Sequence, residues 1–141
     1  MASLFVLGSS LMESRQILLA AIASASANWE RRPASGVGEE AWSARQAAEH
    51  VIASDLLFSS RACRSAGKEG LEITEHSYAT AAEARAGLVK SMGLVASAML
   101  RLKEGDLAAE DSRWGTVEGV LTHNLNHLRE HTAQITAAAG R

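Results

Sequence analysis

One cysteine, one proline, one tyrosine and two phenylalanines stand among 141 residues, and each scarcity removes a class of answers. A lone thiol, Cys63, admits neither an internal disulfide nor a multi-cysteine metal site, and it fits a reducing compartment. No histidine lies near it in sequence, so it reads as a small core residue rather than a nucleophile. Aromatic residues total 4%, too few to form a platform for stacked bases, and the net charge of −2 comes from interspersed signs without a basic stripe. Nucleic acid is therefore not expected as a partner. No run of about 18 apolar residues is uninterrupted. In MASLFVLGSSLMESRQILLAAIASASANWE the apolar run is broken by Glu13 and Arg15, and no basic stretch precedes it. The expectation is a cytoplasmic chain with neither a leader nor a membrane span.

What is abundant is alanine, within an apolar share of 47%, and that composition favours packed helices over sheets. The length suits one domain. Four helical patterns follow. The first runs from about Ser9 or Ser10 to Asn28, with Leu11, Leu18 and Ile22 on its buried side and Glu13 and Arg15 outward. Trp29 to Ala41, with Arg31-Arg32-Pro33 and the Gly36/Gly38 pair, is a connecting loop. Ser43 and Gln46 form a capping-box pattern that starts the second helix, which passes through Val51, Leu56, Leu57 and Phe58 to about Arg64. A third helix spans about Tyr78 to Leu102, with Leu88, Met92, Val95, Met99 and Leu102 along one seam. After the polar link Lys103 to Arg113, the fourth runs from Gly115 to Ile135. Four such helices make an all-α four-helix bundle the economical architecture, and loop lengths alone do not fix its topology.

The chemistry concentrates in the fourth helix. His123, His127 and His131 recur every four residues, so neighbours in the series stack on one face and can share a cation. Against the stripe of Val117, Val120, Leu121, Leu125, Leu128 and Ile135, His131 and Asn124 fall about 50° or less from its centre, His127 about 90° and His123 about 130°. His127 and His131 are thus the inward pair, Gln134 lies one turn on, and His123 sits at the rim. A single such histidine is most often an ordinary hydrogen-bonded residue. A strip of Asn, His, His and Gln is harder to dismiss, because each unpartnered polar group costs on the order of 1–3 kcal/mol when buried. In the second helix His50, flanked by Ala47, Val51 and Ser54, also faces the core. Glu49 and Glu130 should be solvated, Asp55 is an open candidate, and His76 belongs to the linker surface.

Two segments, WSARQAAEH (Trp42 to His50) and HLREHTAQI (His127 to Ile135), in this order and separation resemble the DinB/YfiT-like superfamily of small metalloenzymes. The likeness extends over nearly the whole chain. It implies an up-down-down-up four-helix bundle and a divalent metal, zinc or nickel, held by His50, His127 and His131. It also implies a small-molecule substrate, such as a low-molecular-weight thiol, a thiol-S-transferase or hydrolase activity, and a homodimer. Within that frame Asn124 and Gln134 would orient the ligands or touch substrate. A register using His123 and His127 resembles the same pattern.

Overall fold

The computed structural model describes residues 3–34 and 36–140. Four helices dominate it: α1 (Leu4–Ser24), α2 (Ala44–Ser65), α3 (Ala81–Met99) and α4 (Val117–Ala139). Short 3₁₀ turns occupy Ser26–Asn28, Gly38–Ala41 and Glu104–Ala108, and a two-strand hairpin pairs β1 (Glu110–Asp111) with β2 (Gly115–Thr116).

Helix α1 begins nearly two turns before the expected serines. Ser3 caps it by accepting from the Val6 N–H, and the Leu4 N–H donates to the Glu104 carboxylate at 2.9 Å. The apolar run Leu4 to Leu7 is therefore helix, with Leu7 already in the core. By length and hydropathy α1 would pass for a membrane span. Its buried side, however, is the bundle core of Leu7, Leu11, Leu18 and Ile22. Arg15, expected outward, lies among them at 1% exposure and makes a two-pronged ion pair with Asp55 of α2, at 2.7 and 2.8 Å.

The Ser43–Gln46 capping box starts α2 as the sequence suggests. Thr80 caps α3 instead of Tyr78, because Tyr78 is held outside the helix: its N–H donates to Glu49, and its carbonyl accepts from the Trp29 indole. Thr116 caps α4. Here two glycines are needed. Gly115 takes φ +85°, and a Cβ on Gly119 would stand 2.1 Å from the Trp114 carbonyl oxygen.

Around the bundle α2 packs on α4 and α3, and α1 packs on the other sides of the same two. The end of α1 meets the end of α4 where Asn28 donates to the Ala139 carbonyl, and the ends of α2 and α3 meet where the Cys63 thiol donates to Ala98. Residues facing inward at spacings of three and four, among them Leu88, Val95, Val120, Leu121, Leu128 and Ile135, fill the middle. This framework brings the start of α2 against the last turns of α4.

Candidate metal centre

His50 enters from α2, and His127 and His131 enter from successive turns of α4. The Nε2 of His127 lies 3.2 Å from that of His50 and 3.1 Å from that of His131. One ligand nitrogen from each of the three lies within 4.8 Å of the others. His131 is buried, whereas His50 and His127 are half-buried at the mouth.

Gln134 sets the chemistry of His131. Its amide nitrogen donates to the backbone carbonyl of Glu39, so its oxygen is the atom turned toward His131 Nδ1, at 2.7 Å. An amide oxygen only accepts; His131 therefore carries its proton on Nδ1 and presents the Nε2 lone pair to the cluster. Burial and then the neighbouring histidines push His127 down to about 4, and burial and His131 also lower His50. The Glu39 carboxylate works against that shift on His50, which places its charge at the site. His50 and His127 are thus neutral imidazoles at neutral pH, the form that binds a cation without first releasing a proton.

Three ring nitrogens aimed at one point are a poor hydrogen-bonding arrangement. Only one proton can lie between any two of them, and with the His131 nitrogen an acceptor, a single His127 Nε2 cannot satisfy both neighbours. A divalent cation would take all three lone pairs. Three imidazoles with further positions open match zinc or nickel, so the residues present fit the ion that the resemblance implies.

Aromatic rings wall the cluster on two sides. Trp42 lies parallel to His131 at 6.2 Å between centroids and edge-on to His50 at 5.1 Å. Phe58 stands edge-on to His127 at 5.6 Å. His123 is not part of the cluster: its ring stacks on Trp114 at 3.8 Å, with Phe58 beside it. The register using His123 is therefore not the one the fold assembles. Trp114 is itself fixed by Asp111, which accepts from the N–H groups of Arg113 and Trp114, from Ser65 and from Arg61. Burial opposes the Asp111 charge, yet these donors outweigh it and hold the carboxyl well below the usual range.

Beside the histidines a cavity of about 430 Å³ is lined by Glu39, Glu40, His127, Glu130, His131 and Gln134. Another of about 430 Å³ reaches His50 from the linker side, past Glu49, Ala53, Ser54, Leu57, Ile73, Glu75 and His76. A cavity of about 540 Å³ between α2 and α3 touches none of the three histidines.

Several expected site residues take other places. Asn124 does not touch the histidines; its amide donates to Asp55 at 2.9 Å, because the acceptor facing it across the core is that carboxylate. Asp55 is spent on Arg15 and Asn124. Glu130 is exposed, but Glu49, expected in solvent, is half-buried and accepts from Arg45 and the Tyr78 N–H. His76 is exposed, within hydrogen-bonding distance of Thr74. Glu39, which sequence reasoning passed over, lies in a loop where no periodicity marks its direction.

No curated protein and no solved structure matches the chain. A family model described as the DinB superfamily matches residues 10–135, a span that holds α2 and α3 whole, most of α1 and α4, and all three clustered histidines. Together with the four-helix bundle and the histidine cluster, that match shows that the chain belongs to the DinB superfamily.

Proposed function

We propose that the protein is a divalent-metal-dependent enzyme that activates a small nucleophile, a low-molecular-weight thiol or water, for transfer or hydrolysis. The observation that carries this reading is the convergence of the His50, His127 and His131 Nε2 atoms beside a cavity open to solvent. Zinc or nickel held there would supply Lewis acidity, drawing an incoming thiol or water toward its deprotonated form.

The chain's own contribution is placement. Gln134 fixes the tautomer and the plane of His131, while Trp42 and Phe58 keep water from two sides of the rings. The cavity beside His127 and His131 leaves room for a small molecule rather than a polymer. Cys63 is buried against Ala98, so the reacting sulfur, where there is one, belongs to the substrate.

Metal content tests this directly. Protein purified without chelators should hold about one zinc or nickel ion per chain, as a single three-histidine site requires. His50→Ala, His127→Ala and His131→Ala should each lose it, and His123→Ala should keep it. Absence of metal in the wild-type protein after reconstitution with either ion contradicts the reading.

A further inference from the structure

Charge is distributed unevenly around the histidines. Over the whole chain acids outnumber Lys and Arg by only two, 16 against 14. Yet the cavity beside His127 and His131 is lined by Glu39, Glu40 and Glu130, with no lysine or arginine. None of these three carboxylates is in an ion pair or a side-chain hydrogen bond among the described residues. The cavity on the His50 side repeats the pattern with Glu49 and Glu75, although there Arg45 compensates Glu49. Away from the cluster the balance varies: the cavity between α2 and α3 sets Lys90 beside Glu49 and Glu83, one between the start of α1 and the end of α3 has Glu104 as its one charged group, already accepting from the Leu4 N–H, and another has Arg61 and Arg64 with no acid.

Position matters as much as number. The Glu39 backbone carbonyl is tied by Gln134 to the helix carrying His127 and His131, so Glu39 and Glu40 stay beside the cluster instead of swinging with a free loop. Glu130 projects from α4 between the two ligands in sequence. A molecule whose nucleophilic atom reaches the cluster through this cavity leaves its remaining part among these carboxylates. Fixed like charges in a partly enclosed cleft repel an anionic tail and attract a cationic one.

We propose that Glu39, Glu40 and Glu130 make this site select small thiols whose tail is cationic or uncharged and reject thiols whose tail is anionic. The proposal rests on the metal-dependent reading above and narrows its substrate class. An alternative role for the carboxylates, raising the affinity for the cation itself, predicts a different pattern in the same experiment.

The test uses cobalt(II)-loaded protein titrated with three two-carbon thiols whose tails chelate poorly: thiocholine, mercaptoethanol and mercaptoethanesulfonate. Affinity is read from the thiolate-to-cobalt absorption and corrected for the ionisation of each thiol. Thiocholine should bind at least about tenfold more tightly than mercaptoethanesulfonate at low salt, with mercaptoethanol between them. This spread should shrink severalfold in the triple variant Glu39→Gln/Glu40→Gln/Glu130→Gln, and likewise in about 0.5 M salt. All three residues are exposed, and cobalt uptake by the triple variant reports that the site still assembles. Equal affinities in the wild-type protein overturn the proposal and leave the metal reading standing. A spread that persists in the triple variant, with only cobalt affinity changed, overturns it in favour of the cation role. Failure to take up cobalt overturns both.

Discussion

At the scale of single residues, Gln134 shows how much one amide decides. Its oxygen accepts from His131 Nδ1–H, and its nitrogen holds the Glu39 carbonyl, so ligand and loop share one side chain. Gln134→Leu removes the acceptor and leaves a ring N–H unpaired; metal affinity should fall about 10–100-fold. Gln134→Glu restores an acceptor but not the donor to Glu39, and should recover most of that loss. Competition against a chelator of known affinity measures both, and an unchanged affinity in Gln134→Leu would show that His131 needs no such support. The helical wheel brought Gln134 close to the right face, because its partner is on the same helix three residues away. For Asn124 the wheel gave the buried direction but not the partner, and Arg15, four residues after Leu11 and three before Leu18, was set outward by its charge although its spacing points inward. A wheel gives the direction of a side chain but not what faces it, and both residues find their partner in Asp55 of another helix, 69 and 40 residues away respectively.

At the scale of elements, that Asp55 pairing joins α1, α2 and α4, and Arg15 is the one charged group among the largest fully buried side chains. The guanidinium of Arg15 and the carboxylate of Asp55 are fully buried, so each relies on the other to offset its desolvation. Asp55→Ala should destabilise the fold by about 3–5 kcal/mol, because it leaves a buried cation alone. The double change Arg15→Met/Asp55→Leu, which removes both charges at similar volume, should cost much less. Urea unfolding of the two variants compares them, and equal losses would mean that packing rather than the stranded charge sets the cost. Element limits were legible where a cap or a seam marked them, as at Ser43 and along Leu88 to Val95. They were not legible at Ser3, whose helix rests on Glu104 a hundred residues on, nor in the hairpin before α4, whose two-residue strands are too short for any alternation.

At the scale of the molecule, the bundle follows from period alone: four apolar stripes at helical spacing have few ways to be buried except against one another. The site does not follow so directly. Spacing within α4 singled out His127 and His131, but joining them to His50 took the family resemblance, since nothing in either helix states which faces meet. An ion held where they meet would tie α2 to α4, and its binding should be felt by the whole fold. A ligand at about 100 times its Kd stabilises the native state by about 2.7 kcal/mol. For a chain of this size that is a rise in Tm of roughly 5–10 °C. Adding zinc or nickel at neutral pH to metal-free protein should produce such a rise, and a chelator should reverse it. His127→Ala and His131→Ala should show none, and His123→Ala should behave as the parent. Protons compete with the ion for the ligand lone pairs, so the rise should shrink as the pH falls below neutral and be gone by about 4, where His127 itself takes up its proton. A rise that survives loss of either α4 ligand would instead place the stabilising ion elsewhere on the surface, and would separate the bundle's stability from its histidines.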